Sequence, residues 1–201
     1  DGVNDYLEVA DDPTLNPSSA ITIELWMNLS LTGDYINLVK KEGYGQFYLR
    51  LGPQSGRTYW CVKFGDGTSK SLEGNAGWTE NAWHYIVATL NTQTQMIQVY
   101  VDGVEKLSGT FASGKSIATT TKPVLISDPN ARRIDGVIDE VRTSNIARSA
   151  DWILTCYNNQ KNPNSFYTVG NEEQYPGAPL VTNENPRDGA HNVYTNPVLS
   201  V

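Results

Sequence analysis

The acidic residues are the first candidates for chemistry in this 201-residue chain, because a retaining glycosidase needs two carboxylates about 5–5.5 Å apart. A single strand supplies such a pair only from alternate positions, as in Glu-x-Asp-x-x-Glu, and that spacing does not occur here. Asp139 and Glu140 are adjacent, so strand alternation is expected to send them to opposite faces. His84 and His191 have no Ser or Cys nucleophile signature beside them, and His-Glu-x-x-His, Walker and Cys-x-x-Cys motifs are missing. No catalytic residue is expected, and the chain reads as a non-enzyme.

Non-covalent recognition fits the aromatic residues better. In Phe47–Leu51, a period of two sends Phe47, Leu49 and Leu51 inward and Tyr48 and Arg50 outward. The same count in Tyr59–Phe64 buries Trp60, Val62 and Phe64 and exposes Tyr59 and Lys63; in Gln98–Val101 it exposes Gln98 and Tyr100. If these strands share a sheet, one outer face carries three tyrosines among Arg50, Lys63 and Gln98. A pyranose offers an apolar C–H face and a rim of hydroxyls, which such a face could hold. Tyr is equally a good strand residue on a half-wet face. Tyr44 and Trp78, both beside glycine, are expected at the rim, whereas Trp26, Trp83 and Trp152 are expected in the core. Asp1, Asn4 and Asp5 gather hard oxygen donors ahead of the first strand, suited to Ca²⁺ rather than zinc, although such residues also simply make turns.

These side chains have to be positioned by strands. Runs rich in Val, Ile, Tyr and Trp alternate with turn signals at Pro17–Ser19, Leu31–Asp34, Gly52–Gly56, Gly65–Gly67, Asp102-Gly103 and Ser127–Asn130. That cadence predicts an antiparallel sandwich or barrel. Only Ser149–Gln160 reads as a helix, stopped by Asn162-Pro163. With 39% hydrophobic and 18% charged residues the chain can bury a sizeable core, and no apolar run approaches the ~20 residues that cross a bilayer. A net charge of -7 with scattered Lys and Arg argues against a nucleic-acid partner. Cys61 and Cys156 leave a disulfide open, since sequence separation says nothing about distance. The sequon Asn28-Leu29-Ser30 is an equally open sign of glycosylation. The chain starts at Asp1 without a visible leader, which fits a processed or partial chain.

Asp1-Gly2-Val3-Asn4-Asp5-Tyr6 at the start and Gly136-Val137-Ile138-Asp139-Glu140-Val141-Arg142 near the end resemble the two terminal strands of laminin-G-like, concanavalin-type domains. Ile21–Trp26, Trp83–Ala88 and Ile97–Gly103 fit the same family in order and spacing. The resemblance implies an all-β, two-sheet antiparallel jelly-roll sandwich with one short helix over residues 1–172. It further implies a first strand beside the last, so that a structural Ca²⁺ would join Asp139 to Asp1, Asn4 and Asp5. One departure is the missing apolar residue before Asp1. A Pro/Gly-bearing linker is expected at 173–180, and residues 181–201 resemble the first strands of an immunoglobulin-like repeat cut short.

Together these observations predict a non-catalytic binding module of a larger secreted or cell-surface protein, without membrane insertion, its partners a carbohydrate or surface protein and the neighbouring domains. The alternative is a structural or adhesive domain of a surface filament or layer. The scaffold itself names no ligand.

Overall fold

The computed structural model describes residues 5–31, 33–41, 46–130, 132–166 and 170. The chain divides into two units, Asp1–Phe166 and Tyr167–Val201, and the first carries every strand and helix described below. The linker expected at 173–180 and the immunoglobulin-like start expected at 181–201 lie outside the described residues.

Eleven strands are described: β1 (Leu7–Val9), β2 (Ala20–Ser30), β3 (Ile36–Lys41), β4 (Phe47–Leu51), β5 (Arg57–Lys63) and β6 (Ser69–Asn75), then β7 (His84–Asn91), β8 (Met96–Val101), β9 (Val104–Thr110), β10 (Val124–Ile126) and β11 (Asp135–Ser144). They form two antiparallel sheets, ordered β1-β10-β3-β4-β5-β6 and β11-β2-β7-β8-β9. The sandwich expected from the strand cadence is present. The first and last strands, however, are not hydrogen-bonded neighbours: β1 pairs with β10 and β11 with β2, so each forms an edge of a different sheet.

The core follows from the period of two. Ile21, Ile23, Leu25, Met27 and Leu29 of β2 meet Leu49 and Leu51 of β4, Trp60 and Val62 of β5, and Ile86, Ala88 and Leu90 of β7 in one cluster shielded from water. Two buried indoles keep their N–H groups satisfied: Trp60 donates to the Thr89 carbonyl at 2.9 Å and Trp78 to the Thr58 hydroxyl at 3.0 Å.

On β7 and β8 the outward residues Tyr85, Val87 and Tyr100 are buried as well. Helix α1 (Ala150–Lys161) covers them, with Ile153 fully buried and Trp26, Trp152, Cys156 and Tyr157 packed around. Its start matches expectation: Ser149 is the N-cap, its hydroxyl accepting from the Trp152 N–H at 3.2 Å. Asn162 caps the far end before the short α2 (Pro163–Phe166). The helix rests against the β8–β9 turn, where Asp102 and Gly103 both have positive φ, as a two-residue hairpin requires. A Cβ on Gly103 would fall 2.8 Å from Leu154 Cδ1, so glycine also sets the approach of α1.

Cys61 lies on β5 of the six-stranded sheet and Cys156 on α1, which packs on the five-stranded one, and both thiols are free. Charge is buried in three places, one of them Glu24 on β2, which accepts from the Tyr85 phenol and stands 3.4 Å from Arg142 Nε. Lys41 Nζ reaches Asp11 Oδ1 at 2.5 Å. Lys40 Nζ reaches Asp128 Oδ2 at 2.5 Å, and the same oxygen accepts from Asn37 Nδ2 at 2.7 Å.

Two outcomes follow for stability. Gly136 has a φ of +136°, and a Cβ there would sit 2.3 Å from the Asn28 carbonyl oxygen and 2.8 Å from Leu29 Cα. Gly136→Ala should cost about 2–4 kcal/mol in denaturant titration, and a variant within about 0.5 kcal/mol of the parent would contradict this packing.

Burial pushes the Asp128 carboxyl up, but hydrogen bonds from Lys40, the Asn130 N–H and Asn37 outweigh it and hold the group below its ordinary value. A folded-state value below the unfolded one of about 3.9 contributes stability in full above that pH and loses it as pH falls through the folded value. Asp128→Asn takes away the carboxylate charge that faces the buried Lys40 ammonium and should cost about 3 kcal/mol near neutrality. Its acid limb, followed by circular dichroism, should be shallower than that of the parent.

Candidate functional site

The outer face of the six-stranded sheet assembles four of the expected residues. Tyr48 and Arg50 project from β4, Tyr59 and Lys63 from β5, with Tyr48 opposite Cys61 and Arg50 opposite Tyr59. A cleft of about 400 Å³ opens there, bordered by Tyr48, Arg50 and Lys63. Gln46, Ser69, Ser71 and Arg132 also line it, and reasoning from the sequence missed all four. Ser69 and Ser71 alternate along β6 with the inward Leu72, so that parity was available; Gln46 and Arg132 stand outside any strand and gave no periodic signal.

Arg50 is held in place. Its Nε donates to Asn37 Oδ1 at 2.8 Å, and Asn37 in turn donates to Asp128, so the guanidinium hangs from the buried Lys40–Asp128 pair. Its carbon stands 4.6 Å from the Tyr48 ring centroid and 5.5 Å from that of Tyr35. Tyr59 meets Tyr35 edge-on at 5.4 Å and accepts from Arg57 Nε at 3.2 Å, while Arg57 also pairs with Glu73. The face is therefore a mesh of rings and guanidinium groups, stiff before any ligand arrives.

Burial, with the neighbouring Cys61 thiol, pushes the Tyr48 phenol up to about 12, so it keeps its proton and can donate. Gln46 is fully buried and gives its Nε2 to the Pro17 carbonyl at 3.2 Å, but its Oε1 has no hydrogen-bond donor among the described residues.

The other expected site residues fall elsewhere. Tyr100 does point outward, but from β8 of the opposite sheet, and α1 leaves it 3% exposed; parity gave its direction and not its cover. Trp78 is 2% exposed in the main core rather than on a rim, because its loop folds back over the sandwich. Tyr44 lies outside the described residues. Trp83, expected in the core, is 47% exposed. Trp26 is half-buried beneath α1, and Trp152, on α1 itself, is half-buried too.

Asp1 and Asn4 lie outside the described residues, and the two remaining calcium candidates do not share a cleft. Asp5 borders one of about 420 Å³ with Leu7, Ile126 and Ile138. Asp139 lines another of about 630 Å³ with Trp26, Trp83 and Glu140. Among the described residues no group of three or more His, Cys, Asp or Glu side chains is gathered to hold a metal ion.

Asp139 and Glu140 line one cleft, not opposite faces. A β-bulge between Asp139 and Arg142 breaks the alternation, with Glu140 at a φ of +51°. Nearby, Asp102 Oδ2 meets His84 Nδ1 at 2.8 Å, and His84 Nε2 lies 3.1 Å from the Thr79 hydroxyl. The same Nε2 accepts the backbone N–H of Thr79 at 3.0 Å, so the imidazole fastens this loop.

The fold recurs in proteins that share little sequence. The binding domain of botulinum neurotoxin serotype G superposes with a TM-score of 0.65 at 13% identity, over 80% of this chain and 42% of that one. The serotype D ligand-binding domain, solved in complex with N-acetylneuraminic acid, gives 0.59 at 16% identity over 78% and 40%. A proposed carbohydrate-binding protein from Bacteroides ovatus gives 0.61 at 17% identity over 75% and 44%. The present chain thus spans about two fifths of the length of these structures. No match is found among curated proteins. Residues 1–154 fit the laminin G model of the concanavalin A-like lectin/glucanases superfamily, and the chain belongs to that superfamily.

Proposed function

We infer that this domain is a carbohydrate-binding module and that the outer face of the six-stranded sheet holds the sugar. The observation that carries the reading is the cleft at Tyr48, Arg50 and Lys63, where a ring and a guanidinium already fixed by their neighbours stand beside an exposed ammonium. Ser69, Ser71 and the Tyr48 phenol add hydroxyl partners. Arg50, Lys63 and Arg132 favour a sugar bearing a carboxylate or sulfate.

Two structural neighbours support the reading: one was solved with an acidic sugar, N-acetylneuraminic acid, and the other is a proposed carbohydrate-binding protein. A setting outside the cell accords with the likeness to botulinum neurotoxin binding domains. The Ca²⁺ expected at Asp1, Asn4, Asp5 and Asp139 is a separate proposal, since Asp5 and Asp139 line other clefts than this one.

A glycan array carrying acidic and neutral saccharides tests this directly. Acidic saccharides should bind, and Lys63→Ala and Tyr48→Phe should each weaken them about tenfold, or about 1.4 kcal/mol. Full affinity in both variants would remove this face from the reading, and an array on which nothing binds would remove carbohydrate altogether in favour of a structural or adhesive domain.

A further inference from the structure

We propose that the cleft between α1 and the β11 bulge is a second, independent saccharide site, which takes an uncharged hexopyranose. It measures about 630 Å³ and lies on the other sheet, so it shares no residue with the face described above.

The starting point is Trp83. Of the five tryptophans it alone is exposed; Trp60 and Trp78 are buried and Trp26 and Trp152 half-buried. A large ring left in water at the mouth of a cleft gives up hydrophobic stabilisation that the fold could have taken. The C–H face of a pyranose covers an indole in this way.

Hydrogen bonds on both sides of Trp83 hold the backbone that carries it. Beside it, His84 is tied to Thr79 and to Asp102, and on the other side Asn81 donates its N–H to the Leu29 carbonyl at 3.0 Å and accepts from the Ser30 hydroxyl at 3.0 Å. A ligand stacking on Trp83 therefore has little loop entropy to remove. The floor is equally set: Trp26 donates its indole N–H to Gln160 and stacks on Tyr157 with centroids 5.7 Å apart.

Charge selects the class of ligand. The wall opposite the helix carries Asp139 and Glu140, brought to one cleft by the bulge, and Asp102 adds a third carboxylate; these three acids outnumber the two cations that face them, Lys161 on the rim and Arg142, whose Nη2 stands 3.9 Å from Glu140 Oε2. Carboxylates accept hydroxyl protons in short, charge-assisted hydrogen bonds and repel anionic groups. A neutral sugar satisfies both the ring and the acids, whereas a sialylated or sulfated one is disfavoured. The two clefts thus sort saccharides by charge, cationic on one sheet and anionic on the other.

The probes are neutral gluco-, manno- and galacto-configured oligosaccharides, titrated against the intact protein by tryptophan fluorescence and calorimetry. At least one should bind and perturb indole emission. Trp83→Ala should weaken that binding at least tenfold without moving the melting midpoint, and Glu140→Gln, which spares the core, should weaken it at least threefold. Lys63→Ala should leave it untouched. Neutral binding that survives Trp83→Ala and Glu140→Gln, or that disappears with Lys63→Ala, overturns the second site. So does binding of an oligolysine peptide, lost in Trp83→Ala, where neutral sugars fail. None of these results bears on acidic saccharides, so the first face stands or falls separately.

Discussion

A strand has two sides, and in this sandwich one side of every long strand is committed to the same core. Ile21 to Leu29 on β2, Trp60 and Val62 on β5, and Ile86 to Leu90 on β7 have no freedom to do anything else. Each is largely removed from water, and at roughly 1.5–3 kcal/mol per buried aliphatic or aromatic side chain this cluster provides the largest favourable contribution to folding. Recognition is consequently confined to the outward positions, the loops and the sheet edges. A common scaffold with TM-scores near 0.6 at 13–17% identity fits that division, because an inward apolar pattern can be kept by many sequences while the outward one changes freely.

The two outward faces differ because their polarity differs. On the five-stranded sheet Tyr85, Val87 and Tyr100 make an apolar patch that must be covered, and α1 covers it. On the six-stranded sheet Tyr48, Arg50, Tyr59 and Lys63 are compatible with water and remain accessible to a ligand. Even there, the cations are organised from below. Arg50 is oriented through Asn37 by a carboxylate that already neutralises Lys40, so a buried ion pair, costly in itself, sets the direction of a surface guanidinium.

This also explains what could be read from the residues alone. Parity placed Tyr48, Arg50, Tyr59 and Lys63 together, because an uninterrupted strand obeys it. The helix at 150–161 was visible in its cap, Ser149, and in its stop, Asn162-Pro163. Parity failed where geometry leaves the regular strand: the bulge at Glu140 turned two adjacent acids into one cleft, and no local pattern announced it. It was blind to cover, so Tyr100 looked available, and to loops, so Trp78 and Trp83 exchanged the core and the rim. The pairing of β1 with β10 is a long-range choice between edges that periodicity does not encode.

Helix α1 shows how cover and site are linked. Twelve residues are too few for a stable helix in water, and the Ser149 cap contributes only about 1 kcal/mol. The helix exists because Ile153, Trp152 and Tyr157 have an apolar sheet face to settle on, and that face is tolerable only because the helix is there. Register along this contact is fixed by Gly103, whose missing side chain admits Leu154 and Tyr157. One turn further on, the same register delivers Gln160 to the Trp26 indole and Lys161 to the Tyr157 phenol, at the border of the cleft that Asp139 and Glu140 close from the other side. The contacts that fold the helix are therefore the contacts that shape the cleft, and a change that loosens Ile153 would be felt at Trp26 as well as in the melting temperature.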